Sequence, residues 1–158
     1  MPKRMGASTK AIILALRTTI ATVISLLLAR ALEMPEFYWA PISTIVILLS
    51  TIDPRTLAWQ RFVGTAVGAA LAAVIASFFG PSWVMYGVGI FVCGILSAVL
   101  RLGGAYRFAA IALSIVLLPA HTRPPWIVAW HRFVEVSLGI AVALAMTLVW
   151  KVPQSGTE

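Results

Sequence analysis

Six long runs of apolar residues divide this chain, and none of them alternates between apolar and polar positions. They cover about Ala11 to Leu32, Phe37 to Ile52, Leu57 to Phe79, Trp83 to Leu100, Tyr106 to Pro119 and Trp126 to Trp150. A bilayer core takes roughly 20 helical residues to cross. A transmembrane barrel would instead show short segments alternating with a period of two. Continuous runs of this length therefore predict an all-α, polytopic membrane protein with six transmembrane helices. The run from Tyr106 to Pro119 is short for a full crossing and implies a tilted, extended or broken helix.

The charged residues are too few for any other solvent. Of 158 residues, 61% are hydrophobic and 11% charged, and the mean hydropathy is +0.98. A soluble domain carries about a quarter charged residues. Six crossings with short loops use almost the whole length, so residues 1–158 are expected to form a single transmembrane module with no soluble domain. Met1-Pro2-Lys3-Arg4 ahead of an apolar run resembles a leader, but Arg17 interrupts that run, which reads better as the first membrane helix. Cys93 is the one cysteine and lies inside an apolar run. It offers neither an intrachain disulfide nor a cysteine metal site.

The net charge of +7, from 12 basic and 5 acidic residues, is dispersed rather than clustered. It fits basic cytoplasmic loops better than a nucleic-acid partner. Lys3, Arg4, Lys10, Arg55, Arg61, Arg101, Arg107 and Lys151 fall on one side of the expected spans. Arg30 and Arg123 fall on the other, with Glu33 and Glu36 beside them. Both termini are accordingly expected in the cytoplasm, in the bacterial inner membrane. Breaks stand where the chemistry of turns demands them: Glu33-Met34-Pro35-Glu36, Asp53-Pro54-Arg55, Gly80-Pro81-Ser82, Arg101 to Gly104, and the loop from Ala120 to Pro125.

The chain carries a weak copy of itself at an offset of 70 to 71 residues. Thr44-Ile45-Val46-Ile47-Leu48 corresponds to Ser114-Ile115-Val116-Leu117-Leu118. Arg61-Phe62-Val63 recurs as Arg132-Phe133-Val134, and Gly68 as Gly139. Three spans per half is an odd number, so the halves, about 11–79 and 83–150, are expected to insert in opposite directions. Inverted repeats are a common transporter architecture, with the site where the halves meet. The same register aligns two stripes with a period of four. One comprises Gln60, Gly64, Gly68, Ala72 and Ala76; the other His131, Glu135, Gly139, Ala143 and Thr147. Residues four apart share a helix face, and small residues there let helices pack closely in lipid, which assigns Gly64, Gly68 and Gly139 to helix contacts.

The polar ends of these stripes need a further reason. Glu135 lies about nine residues into the sixth span, on the order of 13 Å deep, where a charge is costly. Arg132 and His131, three and four residues earlier, can both reach it. The choice is between an ion pair that orients the helix and an ion or proton site. Arg61 and Arg132 approach one pathway from opposite faces and favour anions, with Arg17 as a third candidate. For Arg17 and Arg61, snorkelling to the interface is the plainer alternative. The loops hold no Ser/His/Asp set, no metal-ligand spacing and no phosphate-binding glycine loop, so neither an enzyme nor a cofactor is expected.

These residues resemble the fusaric-acid-resistance-like (FUSC) and aromatic acid exporter family. The resembling stretches are Ala15-Leu16-Arg17-Thr18-Thr19, Tyr38-Trp39-Ala40-Pro41-Ile42, Arg61-Phe62-Val63-Gly64-Thr65 with Gly68, and Arg132-Phe133-Val134-Glu135 with Gly139. The resemblance implies a six-helix module that exports organic anions, typically aromatic carboxylates. It draws attention to Arg17, the Tyr38–Pro41 stretch, Arg61, Arg132 and Glu135. Related plant aluminium-activated malate transporters are anion channels that dimerise, so a homodimer is expected here. The expected function is export of small organic anions, with Glu135 and His131 coupling a proton. The alternatives are a passive anion channel and a non-transporting membrane subunit or assembly factor.

Overall fold

A computed structural model describes residues 7–80, 82–119 and 122–150 of the chain. Lys3, Arg4 and Lys151 from the orientation argument lie outside those residues. So do Pro81 in one expected turn and Ala120 and His121 in another. Six helices are present, and no strand occurs among the described residues: α1 (Ala7–Ala31), α2 (Trp39–Leu48), α3 (Pro54–Phe78), α4 (Trp83–Val99), α5 (Ala105–Leu117) and α6 (Pro125–Val149). By length and composition, α1, α3 and α6 can each cross a bilayer, whereas α2, α4 and α5 are shorter.

The second helix departs most from expectation. The apolar run continues to Ile52, but α2 stops at Leu48 after 10 residues, about 15 Å of rise. Beyond it the chain turns, and Ser50 Oγ accepts the Ile52 N–H at 3.1 Å. The 13 residues of α5 are likewise only about 20 Å long, so both are well short of a bilayer core of about 30 Å.

The helix boundaries follow from local chemistry. Pro54 and Pro125 begin α3 and α6, where a missing N–H costs nothing. Asp53 caps α3 by accepting from Thr56 N at 3.0 Å. That backbone hydrogen bond holds the Asp53 carboxyl below its usual range. Ser82 caps α4 through Met85 N at 3.1 Å. The ends of α1 and α4 share a motif that the sequence hid. Glu33 and Arg101 both take positive φ, 51° and 52°. The next residue then donates back across the last turn, Met34 N to Ala29 O at 3.1 Å and Leu102 N to Ser97 O at 2.9 Å. Glycine usually fills this left-handed position.

In the bundle, α3 and α6 pack on each other; α5 lies against α3, and α2 against α6. On the outside, α1 touches α2 and α6, while α4 touches α5 and α3. Exchanging α1, α2 and α3 for α4, α5 and α6 leaves this set of contacts unchanged. Leu57 and Ala58 share one apolar cluster with Val136, Ile140 and Ala143. Further along α3, Ala69 and Ala72 share another with Val128 and Ala129. The partners run in reverse order, so α3 and α6 are antiparallel. They meet through Phe62 and Phe133, whose ring centroids are 5.0 Å apart.

The glycines set the close contacts. A Cβ on Gly68 would collide with the Ala109 carbonyl of α5, coming within 2.8 Å of Ala109 Cα. A Cβ on Gly139 would collide with the Ala40 carbonyl of α2, coming within 2.7 Å of Ser43 Cβ. Gly64 meets Ala105 and Phe108 of α5 in the same way. Large apolar side chains such as Trp59, Phe91, Trp126 and Trp130 are left exposed around the bundle. In water such a belt would be a liability, but in lipid it is the ordinary surface.

Candidate functional site: two buried arginines

The sequence AWxRFV occurs twice, as Ala58 to Val63 and Ala129 to Val134. Each copy places its arginine seven residues after the proline that opens the helix. Burial is nearly complete: Arg61 is 5% and Arg132 is 2% exposed. Neither side chain snorkels. Each guanidinium instead lies over an aromatic ring on a short helix of the other half of the sequence, Arg61 over Phe108 at 5.1 Å and Arg132 over Trp39 at 4.2 Å. Such contacts are strongest when desolvated.

The two sites differ in their remaining partners. Arg61 donates from Nη2 to Ser43 Oγ at 3.1 Å, and its Nε has no hydrogen-bond partner. No acidic side chain pairs with it among the described residues. Arg107 lies over the same Phe108 ring at 4.7 Å and donates to Gln60 Oε1 at 3.4 Å. Two guanidiniums thus share one ring at that end of the bundle, and neither is ion-paired among the described residues.

Arg132 instead sits among carboxylates. Its Nη2 bonds Glu36 Oε2, and its Nη1 is 3.7 Å from Glu135 Oε2. Trp39 Nε1 donates to the same Glu36 oxygen at 3.1 Å. Glu135, only 1% exposed, accepts the backbone N–H of Glu36 at 2.9 Å. The expected Arg132–Glu135 contact is present, but the direct hydrogen bond belongs to Glu36, 96 positions away. His131 reaches the backbone instead, with Nδ1 2.9 Å from Ile127 O.

Two cavities meet at Arg132. The larger, about 300 Å³, is a cleft lined by Pro35, Glu36, Thr122, His131, Arg132 and Glu135 with two neighbours. The smaller, about 10 Å³, is lined by Trp39, Arg61, Thr65, Phe108, Arg132 and Val136 among others. Arg61 and Arg132 therefore share one cavity, which has room for about one water molecule. Arg17 lines neither. It is 7% exposed, and its Nε has no hydrogen-bond partner. Glu36, Phe108 and Ser43 were not singled out as site residues from sequence, whereas Trp39 falls in the Tyr38–Pro41 stretch that the family resemblance marks. The repeated arginine motif and the Tyr38–Pro41 stretch were the available signals; each arginine's ring partner lies on the opposite half of the sequence.

The fold and site together define an all-α membrane protein with two buried arginines on one shared cavity. A family model described as fusaric acid resistance protein-like matches residues 20–146, and the chain belongs to that family. Its members are proteins of membrane transport and efflux rather than enzymes. No curated protein and no solved structure matches the chain significantly.

Proposed function

We propose that this protein exports small organic anions, aromatic carboxylates above all, along a route that passes Arg132 and Arg61. The observation that carries this reading is Arg61, buried at 5% exposure and without an acidic partner among the described residues. A guanidinium stays charged under all physiological conditions, and burying an unpaired charge is unfavourable. An anion in transit supplies the missing countercharge. The passage between the arginines is closed in this conformation, so transport requires α2 or α5 to move against α3 and α6.

The exchange symmetry of the helix contacts, together with the paired Gly68–Ala109 and Gly139–Ala40 approaches, supports two inverted three-helix repeats. We assign the protein to the bacterial inner membrane as a homodimer, with the Arg61 end and both termini cytoplasmic. Glu135 and His131 line the opposite cleft, where they couple export to a proton. Benzoate flux from proteoliposomes, measured with and without a pH gradient, tests the proposal. Wild-type protein should move benzoate faster with the gradient, and Glu135→Gln should lose that dependence. Flux that ignores the gradient in both proteins favours a passive channel. No flux in any condition favours a non-transporting subunit.

A further inference from the structure

Arg132 makes an unusually incomplete set of hydrogen bonds for so deeply buried a guanidinium. One nitrogen is satisfied by one oxygen of Glu36, while Nε and Nη1 have no hydrogen-bond partner. Arginine binds a free carboxylate best through two parallel hydrogen bonds. Glu36 is bonded through Oε2 alone, and its backbone N–H is held by Glu135. Trp39 adds a second donor to that oxygen and a ring beneath the guanidinium. Arg132 and Trp39 thus both donate to one carboxylate oxygen of Glu36.

We infer that Arg132 and Trp39 form a binding site for the carboxylate of the transported anion, and that Glu36 is its built-in occupant, displaced when substrate binds. The inference rests on the transport reading above and gives that reading a point of contact. Three further observations support it. Glu36 belongs to the turn between α1 and α2 rather than to a helix, and its side chain is 29% exposed, so it has somewhere to go. It borders the 300 Å³ cleft, a volume at the small end of ligand sites. Arg61, in the matching place on the other half, has an aromatic ring but no carboxylate among the described residues, so their packing buries such an arginine without an acid beside it.

Displacement is balanced in charge, because one carboxylate replaces another on Arg132 while Glu135 stays in place. Apparent affinity scales with the fraction of sites that are unoccupied. If Glu36 fills the site nine times in ten, removing it strengthens substrate binding about tenfold. A neutral analogue gains nothing from this, because it cannot take the carboxylate's place.

The experiment measures benzoate transport against concentration in proteoliposomes for wild type and Glu36→Gln, with benzamide as a competing neutral probe. The expected result is a half-saturation concentration lowered about tenfold in Glu36→Gln, with benzamide competing weakly and equally in both. If wild type carries benzoate and Glu36→Gln leaves its half-saturation unchanged, the inference is overturned while the transport reading stands. If wild type neither binds nor carries benzoate, the transport reading fails as well. Should benzamide gain as much as benzoate, the site has merely been widened and the carboxylate assignment is wrong. If Glu36→Gln does not give monodisperse protein, Glu36→Asp carries the same test. Its shorter arm weakens the self-contact, so half-saturation should fall by a smaller factor, and an unchanged value again overturns the inference.

Discussion

Arg61 and Arg132, 71 positions apart in the chain, each place a guanidinium over an aromatic ring on a short helix of the opposite half, and both face the same small cavity. Each lies five residues before the midpoint of a 25-residue helix, roughly 7.5 Å from its centre. Since α3 and α6 are antiparallel, the two charges flank the middle of the bundle from opposite sides. Among the described residues, Arg132 has carboxylates to offset it and Arg61 has none. This difference between otherwise matched positions is what distinguishes the two ends of the proposed route.

The glycine contacts predict a sharp contrast between helices. Gly68→Ala and Gly139→Ala drive a Cβ into a neighbouring backbone carbonyl, and should destabilise the protein by roughly 1–3 kcal/mol each. Gly87 on α4 has nothing within 4 Å of its Cβ position. Gly87→Ala should therefore be neutral or stabilise by roughly 0.5–1 kcal/mol. Thermal unfolding in detergent micelles checks all three.

Removing the Arg132–Glu36 pair one member at a time should show strong coupling. In a double-mutant cycle of Arg132→Gln and Glu36→Gln, the single changes should fail to add by about 0.5–3 kcal/mol. The low end is expected because Glu36 is 29% exposed and its contact is partly screened. Additive effects on the unfolding midpoint would mean that the contact contributes little to stability.

The left-handed residues at the ends of α1 and α4 should respond to glycine. Arg101→Gly relieves a side chain held at φ 52° in an exposed turn, with an expected gain of roughly 0.5–1 kcal/mol. Glu33→Gly should behave in the same direction. An unfolding midpoint that falls in both variants would contradict the capping assignment.

Acid should loosen the start of α3. The folded-state carboxyl of Asp53 titrates below its usual range because Thr56 N–H donates to it. Its contribution to stability is complete above the unfolded-state value and fades as pH falls through the lowered folded value. Asp53→Ala should remove that dependence, and Asp53→Asn should keep the cap at all pH values. Unfolding midpoints measured across the acid range distinguish the three.

Much of this architecture was legible in the sequence because lipid imposes continuous apolar runs, while Pro54, Pro125 and Ser82 mark where helices begin. The repeat of Arg61-Phe62-Val63 identified both arginines and the glycines that follow them. The end of α2 was not legible, since the chain stays apolar from Leu49 to Ile52 and hydropathy cannot register a turn made by Ser50. Nor was the Glu36–Arg132 bond. Helical spacing relates Arg132 only to neighbours three and four residues away, whereas Glu36 is brought in by the packing of α2 on α6. The burial of Arg61 was hidden for the same reason: Phe108 and Ser43 come from two other helices.

Arg61→Met provides the most direct test of an arginine-lined anion route, because it removes the charge while keeping most of the volume. Replacing a buried ion pair by apolar side chains of similar volume is often neutral or stabilising by about 1–4 kcal/mol, and removing Arg61 leaves no acid unpaired among the described residues. The variant should therefore unfold at the same temperature as wild type or higher, while benzoate flux in proteoliposomes falls at least tenfold. Unchanged flux from a stably folded Arg61→Met protein would contradict passage of the anion beside Arg61.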